Sequence, residues 1–234
     1  MSKAPHSHVC KWNNHLEDQD GTPLLSYFVH PFTLPPLSKR LRRRILAYHQ
    51  AVAQRWVIAW ETKAYEEAKR AHAQADAQSL PFTPYSMALT TSVASHQQNL
   101  LCIRQDVTED SGDGRPIHYL QAVTWDLASG FPLPLSAFYE HSPHWKKIVL
   151  DAVCKEGRQR ANSGMYLLDE PVEPTLHKHF DAENYLLTDD GLSLFYPMYT
   201  IAPHVEQIPF FPLPTPDFPL AGNGKPQYNL QITD

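Results

Sequence analysis

Asn184-Tyr185-Leu186-Leu187-Thr188-Asp189-Asp190-Gly191-Leu192-Ser193-Leu194-Phe195-Tyr196 is the stretch that decides how this chain is read. Two apolar runs flank Asp189-Asp190-Gly191. Asp-Gly between such runs is a strong hairpin signal, because glycine takes the positive φ that a tight turn requires. Residues 184–188 and 192–196 are therefore predicted strands, with alternate apolar residues burying one face. The paired aspartates are read as turn formers. General-acid chemistry would need a cleft and a raised pKa, and the residue types supply neither.

Working back from the hairpin, residues 162–183 read as loop-rich and contain His177-Lys178-His179. Two histidines at i and i+2 share one face of a strand and would suit zinc, but spacing offers no third ligand. Before them a helix is predicted from near Ser142-Pro143, with proline at its first position and Trp145, Ile148, Val149, Ala152 and Val153 as its buried stripe. Three further strands are expected at 86–94, 100–107 and 117–127. The last two are joined by the polar turn Glu109-Asp110-Ser111-Gly112-Asp113-Gly114. That turn is read as a hairpin tip, since no backing ligands stand at cation-loop spacing.

Further upstream, Leu24 to Phe32 reads as a strand ended by Pro31 and Pro35-Pro36. A helix follows, capped by Ser38. Leu41, Ile45, Tyr48, Val52, Trp56 and Ala59 step by three or four along it. Past Trp60 charged residues and alanines take over, and these still favour helix, so it is expected to reach about residue 78. Lys39, Arg40, Arg42, Arg43 and Arg44 crowd its start, where cations oppose the helix dipole. They read as a solvated face, with an anionic partner as the other reading.

Downstream of the hairpin, Pro197 and Pro203 cannot donate to a sheet ladder. The segment 197–207 is therefore expected to leave the sheet as an ordered loop, the usual place for a binding site. Tyr199 offers a large apolar area with a polar tip. The alternative is that it packs inward and plugs the sheet edge. His204 would add pH dependence near neutrality. A last strand is predicted at 208–213.

Composition bounds the rest. With 42% hydrophobic and 19% charged residues the chain is globular in type. A net charge of −5 argues against nucleic acid as a partner. Cys10, Cys102 and Cys154 are odd in number and far apart, which fits reduced thiols better than a disulfide framework. No apolar run approaches the ~20 residues that span a bilayer, and no secretion signal is visible, so a cytoplasmic location is expected. The fold class expected is α+β: a mostly antiparallel sheet with one long N-terminal helix and one shorter helix packed on it. Residues 1–22 read as a flexible arm and 215–234 as a proline-containing tail. Irregular histidine spacing in the arm favours a solvated segment over a metal site.

The sequence also resembles a known family. Phe180 to Leu192, followed by Phe195-Tyr196-Pro197, Tyr199-Thr200-Ile201-Ala202-Pro203 and Ile208-Pro209, is similar to the domain in the extracytoplasmic part of the RsiV anti-sigma factor. The same domain type occurs in PdaC-like peptidoglycan deacetylases. Thr124-Trp125-Asp126-Leu127 through Gly130 is similar to the family's Tyr-x-Phe-Asp-Leu-x-x-Gly turn. Leu135-Ser136-Ala137-Phe138 is similar to its Leu-Ser-Asp-Leu/Phe step. The resemblance spans roughly 24–214 and implies one RsiV-like domain over 23–214, with halves at 23–95 and 96–214. It departs from the family at His204, where an aromatic is usual, and at Gln207, near which a glycine is usual.

Relatives with an assigned role bind something: lysozyme for RsiV. In the deacetylases the chemistry resides in a separate catalytic domain. The resemblance thus implies a non-catalytic binding or sensing domain, not an enzyme, with no metal and no cofactor. A lysozyme-like protein or peptidoglycan fragment would be its partner, with Pro197, Tyr199, Pro203 and His204 as ligand-binding residues. Two alternatives stand beside it. One is an intracellular protein–protein interaction module using the basic helix start and the long solvated helix. The other is a hydrolase using His177, His179, His204 and nearby carboxylates.

Overall fold

A computed structural model describes residues 12–139, 142–163, 170–203 and 207–214 of the chain. The fold is α+β. Six strands, β1 Asn13–Glu17, β2 Pro23–Val29, β3 Tyr85–Gln97, β4 Leu100–Asp110, β5 Ile117–Asp126 and β6 Phe131–Pro132, lie side by side in sequence order in one sheet. Three more, β7 Tyr185–Thr188, β8 Gly191–Phe195 and β9 Phe210–Pro212, form a second sheet in the order β7-β8-β9. Every pairing with a determined register is antiparallel except β2 with β3, which run parallel from Leu25↔Tyr85 to Val29↔Leu89.

A parallel pair needs a long crossover, and the N-terminal helix supplies it. Helix α1, Lys39–Ala59, continues through a π-helical turn at Trp60–Ala64 into α2, Tyr65–Ala77. Ser38 caps it as predicted, its hydroxyl accepting from Leu41 N (3.4 Å). The C-terminal half of the chain supplies α3, Trp145–Ser163, and the short α4, Val172–Lys178. No helix among the described residues is long and apolar enough to cross a membrane.

The chain groups into two compact units, and β3, β4 and β5 each give residues to both. Unit 1 takes the described residues up to Ser92 together with Arg104–Gln121. Unit 2 takes Val93–Ile103 and the described residues from Ala122 onward. These boundaries do not coincide with the expected halves at 23–95 and 96–214.

The core of unit 1 packs Ala53, Val57 and Trp60 of the helix against Leu25, Tyr27, Val29, Met87, Leu89 and Val107 of the sheet. The buried row of α1 runs through Ile45, His49, Ala53 and Val57 in steps of four, joined by Val52. This differs from the predicted stripe. Tyr48 and Trp56 lie only partly buried at its flank, with Gln121 Nε2 donating to Tyr48 Oη (3.3 Å) and the Trp56 ring 5.0 Å from that of Tyr119. At the π turn Trp60 is fully buried and its indole N–H donates to Glu109 Oε1 (2.7 Å). Beside it Glu61 Oε1 accepts from Tyr27 Oη (2.6 Å).

In unit 2 the hairpin stands as read from its sequence. β7 and β8 pair from Tyr185↔Leu194 to Thr188↔Gly191, and Gly191 has φ +133°. β9 adds on the other edge of β8, with Leu194↔Phe211. The buried face of α3 is Val149, Leu150, Val153, Cys154 and Gly157. Ile148, placed in the predicted stripe, is instead exposed. Residues 13–17, read as part of an arm, form a strand paired antiparallel with β2. The tail at 215–234 lies outside the described residues.

Candidate functional site

The loop between β8 and β9 is built by alternation of inward and outward residues. Tyr196 is fully buried; its hydroxyl donates to Leu176 O (2.9 Å) and its backbone N–H to Pro209 O (3.1 Å). Burial pushes the pKa of this phenol upward, so it stays a neutral donor. Pro197 is exposed, Met198 is buried, and Thr200 N closes a turn onto Pro197 O (3.1 Å). Ile201 and Ala202 are buried again, and Pro203 is exposed. The proline argument holds for these residues: the chain leaves the ladder at Pro197, and among the described residues no strand resumes before β9.

Tyr199 stands out in this loop. Its side chain is 49% exposed, while Met198 on one side and Ile201 beyond Thr200 are anchored inward. Its φ is +63°, in the left-handed region, where a residue with a Cβ costs about 1–2 kcal/mol. The inward-packing alternative, in which Tyr199 plugs a sheet edge, does not match this exposure. Gln207, where the family resemblance led us to expect a nearby glycine, has φ +54°. The backbone therefore keeps a glycine-type conformation although the residue is not glycine. His204 lies outside the described residues.

Of the histidines in the hydrolase reading, His204 lies outside the described residues, and the other two stand at the end of one short helix. His177 sits in the last turn of α4 and His179 is its C-cap, not two positions on one strand face. Among the described residues no three His, Cys, Asp or Glu side chains stand close enough to hold a metal. Asp189 of the hairpin turn accepts from Ser95 Oγ (3.0 Å) and Gln97 Nε2 (3.1 Å). The Gln97 bond first, then that from Ser95, holds its carboxyl below the usual range. It thus ties the hairpin tip as a carboxylate and is not set up as an acid.

Unit 1 holds a second candidate that the sequence reading missed, a cavity of about 330 Å³. Trp12 and Phe32 line one side, and Leu46, His49, Gln50 and Ala53 of α1 line the other. The strand edge places Trp12 there, since Val29 N donates to Trp12 O (2.7 Å). His49 is buried and locked. Gln105 Nε2 donates to the His49 carbonyl (3.2 Å) and to Thr91 Oγ1 (3.1 Å). A carbonyl can only accept, so the orientation of the Gln105 amide is fixed. Its Oε1 then accepts from His49 Nδ1–H (3.0 Å), which settles the tautomer. Burial lowers the His49 pKa, with the Gln105 bond opposing, so the neutral ring is favoured. The signal in the sequence was a spacing: residues 46, 49, 50 and 53 share one helix face.

No family model matches the chain, and no curated protein matches it by sequence. Among solved structures it is similar to a member of the DUF3298 family from Bacteroides fragilis, at 15% identity over 86% of this chain and 87% of that one, with a TM-score of 0.57. It is also matched to a DUF3298 family protein from Pseudomonas aeruginosa, at 20% identity over 62% of this chain and 66% of that one, with a TM-score of 0.42. The Bacteroides structure shows the fold: this chain shares the architecture of a DUF3298 family protein.

Proposed function

We propose that this chain is a non-catalytic binding or sensing domain, and that the loop from Pro197 to Pro203 carries its contact surface with Tyr199 as the anchor. The observation that supports this most is the half-exposed Tyr199 ring held at φ +63° between inward-anchored neighbours. A rigidly presented tyrosine loses little conformational entropy on contact, and strained backbone clusters where ligands are clamped. The resemblance to RsiV supplies the partner class, a lysozyme-like protein or a soluble peptidoglycan fragment. In this reading the histidines at 177, 179 and 204 have no catalytic role.

A second reading has one observation in its favour. The first turn of α1 contains no acidic residue, while Lys39, Arg40, Arg42 and Arg43 are exposed there, a surface suited to an acidic protein partner.

Calorimetric titration of the full chain with lysozyme and with muropeptides tests the proposal. Tyr199→Gly is the informative variant, because glycine tolerates the positive φ and removes only the side chain. The expected result is saturable binding by the parent and a loss of about tenfold or more in the variant, with an unchanged or higher thermal midpoint. A folded Tyr199→Gly protein that binds as tightly as the parent would exclude the loop. A parent that binds neither ligand would exclude the partner class.

A further inference from the structure

The cavity of unit 1 plays no part in the loop reading, and its chemistry points to a different kind of ligand. We propose that it is a binding site for an uncharged, ring-bearing small molecule of the size of an indole or a substituted phenol.

Four observations carry this. The volume of about 330 Å³ is at the lower end of the ~300–1,000 Å³ typical of small-molecule sites, which suits one or two rings. Among the described residues no Lys, Arg, Asp or Glu lines the cavity, so a charged ligand would surrender its hydration with no counter-charge from them in return. Trp12, His30 and Phe32 give the walls ring character, and rings pair favourably by offset or edge contacts. The inner polar groups are uncharged hydrogen-bonding types, the neutral His49 imidazole, the Gln50 amide and the Thr91 hydroxyl, with the exposed His30 imidazole also in the lining. His49 and Gln105 are buried and bonded to each other and to the half-buried Thr91, so the polar wall is oriented before any ligand arrives.

The parts of the chain that build the cavity also explain why it exists. The segment after β2 is pinned at His30, whose backbone N–H donates to Leu89 O (2.8 Å). The two residues that follow, Pro31 and Phe32, leave the strand direction and face the helix across the cavity. On the helix side the position nearest the sheet core is the small Ala53, not a long apolar residue that would fill the gap.

The test uses the full chain and aminonaphthalene, an uncharged two-ring fluorescent probe. One-to-one saturable binding is expected, displaced by indole. Indoleacetate, the same ring with a carboxylate, should compete about tenfold less well or worse, reflecting the uncharged lining. Leu46→Trp, which adds a ring inside the cavity, should weaken probe binding by about tenfold or more through simple filling. If that variant does not fold, Gln50→Trp at the exposed rim replaces it. Tyr199→Gly should leave probe affinity unchanged, which separates this site from the loop. No saturable binding, equal competition by indoleacetate, or unaltered binding in a folded cavity-filling variant would each overturn the proposal. Binding that emerges only after removal of residues 1–11 would assign the cavity to the chain's own N-terminal segment and likewise overturn it.

Discussion

In unit 2 the buried phenols are tied to backbone carbonyls: Tyr196 to Leu176 O at 2.9 Å, and Tyr185 to Leu133 O. In unit 1 buried side chains are tied to other side chains, buried or half-buried, as in His49 with Gln105, Gln105 with Thr91, and Trp60 with Glu109. The two arrangements serve different ends. A tyrosine bonded to a distant carbonyl staples an irregular segment while its ring fills the core. A side-chain network instead fixes the orientation of polar groups beside a cavity, and each member depends on the others. Both units bury polar side chains, His49 and Gln105 in unit 1 and Ser95, Thr124 and Asp126 in unit 2; the difference is that unit 2 staples through buried phenols and unit 1 orients a network beside a cavity.

That contrast predicts an order of mutational effects. The largest belongs to Phe211→Ala in unit 2. Phe211 is fully buried, its ring is edge-on to Tyr196 at 5.5 Å, and the Arg160 guanidinium lies 4.7 Å over its face. Truncation should cost about 3–5 kcal/mol in urea unfolding, the transfer and cavity terms together. Gln105→Leu in unit 1 should cost less, about 1–3 kcal/mol, by leaving the buried His49 N–H without this acceptor and its carbonyl without this donor. If Gln105→Leu proved the more damaging of the two, the ranking of ring packing at Phe211 above the side-chain network at Gln105 would fail.

The smallest effect has the opposite sign. Gln207→Gly replaces a left-handed glutamine by the residue that adopts φ +54° freely. Relief of strain outweighs the entropy of the more flexible unfolded chain by up to about 1 kcal/mol. A modest rise in the thermal midpoint is expected; a fall would mean that the Gln207 side chain contributes contacts that outweigh its backbone strain.

What the sequence revealed follows from how local each signal is. The β7–β8 hairpin was legible because its turn and both strands lie within a dozen residues, and Asp190-Gly191 names the turn. Ser38 was legible as a cap for the same reason. Strand β1 was not: Asn13-Asn14-His15-Leu16-Glu17 has one apolar residue, and an edge strand pairs through backbone groups that leave no side-chain signature. His49 was missed because a histidine in a helical stripe reads as a break in the apolar pattern. Its burial rests on a partner that the local sequence does not show, Gln105, 56 positions away. In α3 the buried face is turned toward Leu150, Cys154 and Gly157, where small residues admit close approach. An added Cβ on Gly157 would stand 2.7 Å from Leu176 Cδ1. The predicted stripe favoured Trp145 and Ile148, which are large and apolar but face a less crowded side. The exposed loop position of Tyr199 was legible from its flanking prolines, whereas the cavity needed four separated segments, at Trp12, Val29 to Phe32, Leu46 to Ala53 and Thr91, to come together.

The parallel seam between β2 and β3 has a consequence in time. β1 and β2 are joined by a short turn, and β3 and β4 by only Gln98 and Asn99, so both pairs can close locally and early. The seam from Leu25↔Tyr85 to Val29↔Leu89 joins strands more than fifty residues apart, with the whole of α1 and α2 between them. Its loop entropy must be met before its contacts give anything back. Registration of the helix against the two hairpins is therefore expected to set the pace of folding for unit 1, which stopped-flow refolding of helix variants would check. Mutations along Ile45, Ala53 and Val57 should slow folding, while those at the hairpin tips should chiefly hasten unfolding.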